Sequence, residues 1–260
     1  MGIKMEAYSV AERRSKTIKL LNENGQASVS ELSKMLNVSE VTIRKDLQYL
    51  EEKSVLIRTH GGAMKSDYLV KDLHFDDKGK KNEEQKRRIG ERAAQLVKDG
   101  DSLILDAGTT VMQLAKGLHS KRNLNVLTPA INIALELIRN SDIQITVLGG
   151  ILRTTSAAVV GSYAEMMLRD HFCSKLFLAA DGFDPMFGIT TTNALEAHLN
   201  RLMIDSAQTT ILVIDSSKFG RRGLSRICSM EQIHTVITDS GISEAVQKTL
   251  LDHNIEVLVV

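Results

Sequence analysis

The 260-residue chain has no tryptophan, two prolines and 4% aromatic residues, too little for an all-β sandwich with its many short strands, frequent turns and aromatic filling. Its two cysteines, Cys173 and Cys228, form no CxxC pair and allow at most one bridge, which excludes a disulfide framework and leads us to expect a reducing, cytoplasmic location. No uninterrupted apolar run approaches the roughly 20 residues that span a bilayer, and the first 14 residues lack the apolar core of a signal peptide, so no membrane partner is expected. Charge of one sign is missing as well. The 33 Lys and Arg against 32 Asp and Glu leave +1, which by itself points to neither a nucleic acid nor a membrane. What is present is 43% hydrophobic and 25% charged residues, enough to bury a sizeable core, over a length that suits two modest domains. These proportions favour a helix-rich α/β class.

The opening stretch carries three helical signals. Ser9-Val10-Ala11-Glu12 is a capping box, Ala11, Ile18 and Leu21 share a face, and Gly25 suits a C-cap, so a first helix is expected over about 10–23. A second box, Ser28-Val29-Ser30-Glu31, leads into Leu32, Met35 and Leu36. After a tight break at Asn37-Val38, Ser39 caps a third helix with Ile43, Leu47 and Leu50 inward, leaving Glu40, Thr42, Arg44, Lys45 and Gln48 mostly outside. Two short helices joined by a turn, the second presenting Thr, Arg, Lys and Gln, form a helix-turn-helix pattern. Arg and Lys can neutralise phosphates or pair with guanine, Gln can pair with adenine, and hydroxyls can bond backbone or base. The β-prone run Ser54–His60 into Gly61-Gly62 then makes a hairpin wing with Arg58 and His60 near its tip. The candidate DNA contacts are Ser39, Thr42, Arg44, Lys45, Gln48, Arg58 and His60. Residues 1–65 hold 11 Lys and Arg against 8 Asp and Glu, so a +3 segment is joined to a remainder of −2, a split that the total conceals.

Residues 66–82 turn polar, with Asp72, Asp76-Asp77 and Lys78-Gly79-Lys80-Lys81, and are expected to be a solvated linker without a site. Over 83–260, apolar strands alternate with amphipathic helices. The strands are Ser102–Leu105, Leu124–Leu127, Ile143–Leu148, Lys175–Ala180, Thr210–Ile214, Thr235–Thr238 and Ile255–Val259. A largely parallel sheet covered on both faces is expected, with its ligand crevice at the carboxyl ends of the strands.

Those ends read Asp106-Ala107-Gly108-Thr109-Thr110, Leu148-Gly149-Gly150, Asp181-Gly182-Phe183-Asp184, Asp215-Ser216-Ser217-Lys218 and Asp239-Ser240-Gly241, a set that suits a phosphorylated polyol. Asp106, Gly108, Thr109 and Thr110 are assigned to phosphate, because the glycine lets the backbone approach and the next helix opens with free N–H groups. Gly149 and Gly150 join this set, Arg153 and Lys218 supply positive charge, and Asp181 and Glu196 accept from sugar hydroxyls. Asp239 is assigned to turn formation. The histidines and cysteines show no metal-ligand spacing, so no metal site and no cofactor is expected.

Four stretches of the first 65 residues carry a resemblance: Glu12-Arg13-Arg14, Val29-Ser30-Glu31-Leu32, Val38-Ser39-Glu40-Val41-Thr42-Ile43-Arg44-Lys45-Asp46-Leu47, and Arg58-Thr59-His60-Gly61-Gly62-Ala63. They resemble the amino-terminal winged helix of DeoR-type bacterial transcriptional regulators. The strand-end motifs, with Gly188-Ile189-Thr190-Thr191-Thr192 and Asp215-Ser216-Ser217-Lys218-Phe219, resemble that family's carboxyl-terminal domain, related to ribose phosphate isomerase-like folds. The resemblance implies a winged helix-turn-helix domain over 1–65, a sugar-phosphate effector domain over 83–260, and a repressor of a carbohydrate-utilisation operon. Its implied partners are double-stranded operator DNA, a small phosphorylated sugar and further copies of the chain in a dimer or tetramer. The alternative is a sugar-phosphate isomerase or deaminase with an accessory DNA-binding domain, and a third reading has the winged helix contact a protein. In an isomerase of this fold, Asp181, Asp184 and Glu196 would sit beside a lysine and a glycine run. Met186-Phe187-Gly188-Ile189-Thr190 supplies neither, so binding without turnover is expected and no catalytic residue is assigned.

Overall fold

The computed structural model describes residues 8–53, 55–59, 61–65, 69–185 and 187–260. Both capping boxes close. Ser9 caps α1 (Val10–Asn24) and Ser28, the last residue of β1 (Gln26–Ser28), caps α2 (Val29–Leu36). Each hydroxyl accepts from the N–H of the glutamate three residues on, whose carboxylate accepts from the cap's own N–H. Asn37 then turns left-handed (φ 51°), and Ser39 caps α3 (Glu40–Glu52). The wing is a three-stranded antiparallel sheet in which β3 (Gly62–Lys65) lies between β1 and β2 (Leu56–Thr59). Gly62 permits this pairing, since an added Cβ would stand 2.1 Å from the Ala27 carbonyl oxygen. Leu21, Leu32, Leu36, Ile43, Leu47 and Leu50 bury together beneath the three helices.

A short helix, α4 (Phe75–Lys80), precedes α5 (Glu83–Gln95). The seven strands expected from the apolar runs all form, with ends shifted by up to three residues. They are β4 (Ser102–Leu105), β5 (Leu124–Thr128), β6 (Ile143–Val147), β9 (Cys173–Leu178), β12 (Ala207–Val213), β14 (Thr235–Thr238) and β15 (Glu256–Val259). They line up in the order β15-β14-β12-β9-β4-β5-β6, and every neighbouring pair is parallel. Leu103 and Leu105 face a layer made by α5, α6 (Thr109–Lys116) and α7 (Ile131–Leu137). Ile104 faces the opposite layer of α8 (Ser162–Leu168), α9 (Ala194–Asp205) and α10 (Glu244–Asp252). Two small antiparallel pieces complete the unit: the hairpin of β7 (Ile151–Arg153) with β8 (Ala158–Val160), and the sheet of β10 (Gly182–Asp184), β11 (Gly188–Thr191) and β13 (Ser225–Cys228).

From β4 the chain adds β5 and β6 on one side and then returns to lay β9 on the other. The strand order therefore reverses between β4 and β9, and a crevice opens at their carboxyl ends. The helices behind it pack closely at Gly90, where an added Cβ would come within 2.5 Å of Gln113 Cβ and 2.6 Å of backbone atoms of Gln113 and Leu114. Alanine there would gain about 1 kcal/mol of helix propensity. Forcing α5 away from α6 outweighs that gain, so Gly90→Ala is expected to destabilise the unit by about 1–3 kcal/mol, read as a lower urea midpoint.

Candidate functional site

The outward face of α3 holds most of the predicted DNA contacts. Ser39 Oγ accepts from the Thr42 N–H at 3.2 Å and lies 2.9 Å from Thr42 Oγ1, so both hydroxyls sit at the first turn. Arg44 pairs with Glu40 at 2.8 Å and Gln48 donates to Glu52 at 3.2 Å, while Lys45 is exposed and makes no ion pair among the described residues. On the wing, the Arg58 N–H donates to Glu51 at 3.0 Å and its guanidinium lies 3.7 Å from the same carboxylate. His60 lies outside the described residues.

A clamp beneath this face has no counterpart in the expected contacts. Asp46, 3% exposed, accepts from Arg13 Nε at 2.5 Å and Arg14 Nε at 2.9 Å, and the Arg14 guanidinium lies 3.6 Å from the centre of the Tyr49 ring. Its signal is in the spacing: Ile43, Asp46, Leu47 and Leu50 share the inward stripe of α3, and a charge on that stripe requires a buried partner.

The crevice at the β4–β9 switch gathers Asp106, Gly108, Thr109, Thr110, Asp181, Glu196 and Lys218 on one wall set, together with Lys86, Asn200 and Asp215. Asp106 ties the two switch strands together: its Oδ1 accepts from the Ala107 N–H at 2.7 Å, and its Oδ2 from the Ala179 N–H at 3.0 Å and Asn200 Nδ2 at 3.3 Å. Burial pushes its carboxyl up to about 8, against the pull of the two backbone donors. Burial likewise draws the Lys86 ammonium down to about 8, with Asp215 opposing and Lys218 and Lys78 assisting. Lys218 also falls below the ordinary lysine value through burial, partly offset by Asp181 and Asp215. At Asp181, burial raises the carboxyl, but Lys78 and the Thr191 hydroxyl outweigh it and hold it low. Two buried oxygens on the wall, Ser156 Oγ and Glu196 Oε1, have no hydrogen-bond partner among the described residues.

Three expected residues stand elsewhere. Gly149 and Gly150 leave the end of β6 for the β7–β8 hairpin rather than lining the crevice. At Gly150 φ is 148° and an added Cβ would meet the Val160 carbonyl oxygen at 2.6 Å, so packing of the turn requires the glycine. Arg153 sits at the rim, bonded to Asp72 at 2.7 Å and 3.4 Å from Glu196. Asp239 does serve a turn, accepting from the Ser216 and Gly241 N–H groups.

The segment read as a solvated linker is the largest departure. Asp72 also accepts from Thr192 Oγ1, the Phe75 N–H donates to the Thr155 carbonyl, and Lys78 Nζ pairs with Asp181 at 2.8 Å. Asn82 donates to Asp215 at 2.8 Å, and Lys86 Nζ donates to the Lys78 carbonyl. The physical reason lies in the crevice, whose carboxylates and Arg153 offer charged partners to a segment that carries both signs. Beyond Lys218 the chain also meets the amino-terminal unit of α1–α3 and the wing, the reading head that carries the expected DNA contacts. Gly220 (φ 70°) lies where an added Cβ would stand 3.2 Å from the Asn22 carbonyl oxygen and 3.3 Å from Gly25 N.

Among the described residues, no group of three or more His, Cys, Asp or Glu is placed to hold a metal ion, and no helix is long and apolar enough to cross a membrane. Two family models match: a DeoR-like helix-turn-helix domain over residues 13–67 and a DeoR C-terminal sensor domain over 81–240. The HTH-type transcriptional regulator YulB of Bacillus subtilis is 39% identical over 96% of this chain and 97% of its own length. The lactose phosphotransferase system repressor of Staphylococcus epidermidis is 32% identical over 91% of this chain and 95% of its own. Among solved structures, ribose 5-phosphate isomerase A from Methanocaldococcus jannaschii aligns over 53% of this chain and 55% of its own, at 15% identity and a TM-score of 0.39. With a helix-turn-helix domain matched at one end, a sensor domain over most of the remainder and relatives that align along nearly their whole length, the chain belongs to the DeoR family of helix-turn-helix transcriptional regulators.

Proposed function

We propose that the protein represses carbohydrate-utilisation genes by binding operator DNA through α3 and the wing, under control of a phosphorylated sugar held in the crevice. The observation that carries this reading is the composition of the crevice. The start of α6, with Gly108, Thr109 and Thr110, opens beside Lys86 and Lys218, while Asp181 and the unpartnered Glu196 Oε1 stand within the same walls. That arrangement suits an anion at one end and hydroxyls at the other, and a relative named as a repressor of a lactose phosphotransferase system supports the sugar. The ligand is bound without turnover. Asp184, the second carboxylate an isomerase would need, is buried in β10, where it accepts from the Phe187 N–H at 3.0 Å and does not line the crevice. Assembly into a dimer or tetramer is supported by the apolar side chains that α7, β7 and α8 leave exposed, including Leu135, Ile138, Ile151, Tyr163 and Met166. A reducing cytoplasm suits the two buried, unbridged cysteines.

The test is binding to DNA from the gene's own upstream region over a salt series, repeated with a panel of phosphorylated sugars and their unphosphorylated counterparts. Specific, salt-dependent binding altered by the phosphorylated members alone is expected; binding indifferent to all of them would remove the effector role. In the same assay Lys45→Ala should weaken binding about evenly across sequences and lower the salt slope by about 1, as loss of one phosphate contact would.

A further inference from the structure

We propose that Lys78, on the segment between the reading head and the α/β unit, is a direct ligand contact: bound phosphate takes Lys78 from Asp181 and frees that carboxylate for the sugar hydroxyls. This rests on the reading of the crevice as a sugar-phosphate site. Lys78 lines the crevice with its side chain 23% exposed, reachable by a ligand yet fixed by its pair with Asp181. Its helix lies over the start of α6, where an added Cβ at Gly79 would stand 3.9 Å from Thr109 Cγ2. Lys86 bonds the Lys78 carbonyl, and Lys218 interacts with the same two carboxylates, Asp181 and Asp215. Three ammonium groups thus meet two ionised carboxylates, while Glu196 has Arg153 3.4 Å away and the buried Asp106, raised to about 8, carries no full charge at neutral pH. The excess positive charge suits a phosphate dianion.

The segment is anchored on both sides of Lys78, by Asp72 on Arg153 and Thr192 and by Asn82 on Asp215 and Ser217. It is therefore a wall of the site rather than a tether passing near it. A ligand that changes the partner of Lys78 acts directly on the piece of chain that holds the reading head, with no relay through the sheet.

The test uses the full chain and inorganic phosphate, titrated by calorimetry into wild type, Lys78→Met, Lys78→Arg, Lys80→Met and Asp181→Asn. Lys78→Met should bind phosphate at least about tenfold more weakly, as expected for loss of one charge-assisted contact, and Lys78→Arg should recover most of the affinity. Lys80, exposed on the same helix, should be replaceable without effect. Asp181→Asn should tighten phosphate binding by removing the carboxylate that competes for Lys78. Wild-type affinity in Lys78→Met, an equal loss in Lys80→Met, or no gain in Asp181→Asn overturns the proposal while leaving the crevice reading in place. A wild-type protein that takes no phosphate defeats that reading, and this proposal with it. Should Lys78→Met fail to fold, as judged by its melting curve, Asp181→Asn decides with Lys78 intact.

Discussion

Asp46→Ala is expected to melt the reading head at a temperature where the α/β unit is still folded, at a cost of about 3–5 kcal/mol. The Asp46 side chain is 4% exposed and that of Arg13 is 9%, so neither charge is well screened by water. Removing the carboxylate leaves the Arg13 guanidinium buried with, among the described residues, only the Tyr8 carbonyl, 3.4 Å away, as acceptor. Arg14, more exposed and resting on Tyr49, loses less. The penalty is then chiefly that of one uncompensated buried cation, which is why it exceeds the worth of a surface ion pair several-fold. Both arginines belong to α1 and Asp46 to α3, so the same change releases the recognition helix from its neighbour and should abolish operator binding. Hydrogen exchange resolved by segment is the measurement: faster exchange confined to α1–α3 is expected, and a loss of under about 1 kcal/mol would show that the clamp is dispensable.

A second large effect is expected with pH. The anion affinity of the crevice should fall more than tenfold between about pH 7 and pH 9.5. Lys86 and Asp106 are both brought to about 8 by burial, from opposite directions. As pH rises through that value, Lys86 loses its positive charge and Asp106 gains a negative one, so both changes disfavour an anion. Asp181 is held low by Lys78 and stays ionised throughout. A phosphomonoester, with its second pKa near about 6, is already a dianion at the start of this range, so the decline belongs to the protein. Titrating a phosphomonoester such as glycerol phosphate at fixed ionic strength across the range checks it, and a flat profile would show that neither group faces the anion. Lys86→Arg, which keeps its charge, should flatten the curve in part.

The seven strands of the central sheet were readable because each carries a short run rich in apolar residues, buried most fully in β4, β5, β9, β12 and β14, and the three helices of the head because caps and inward leucines mark them. The short antiparallel pieces were not. In β10 and β11, Gly182-Phe183-Asp184 and Gly188-Ile189-Thr190-Thr191 are too brief for a period of two to register, and tertiary packing alone makes them strands. The crevice followed from the strand ends, since parallel topology places them together whatever the intervening helices do. Gly149-Gly150 misled because a glycine pair after a strand marks a tight turn whether or not a ligand lies beyond it. Lys78 and Asp72 were out of reach for a different reason: a polar run reads as solvated until charged partners far along the chain are known to face it.

Gly220 bears on how far a signal must travel. It follows Lys218 by two residues and rests against the carboxyl end of α1, so the floor of the crevice and the reading head are about 7 Å of chain apart at most. A displacement of the Lys218 loop is therefore expected to reach the carboxyl end of α1 through this contact, without passing through the sheet. A side chain at position 220 would meet both a φ of 70° and the Asn22 carbonyl oxygen at 3.2 Å, so it is expected to act as a wedge between loop and helix and to blunt the response of operator binding to a sugar phosphate.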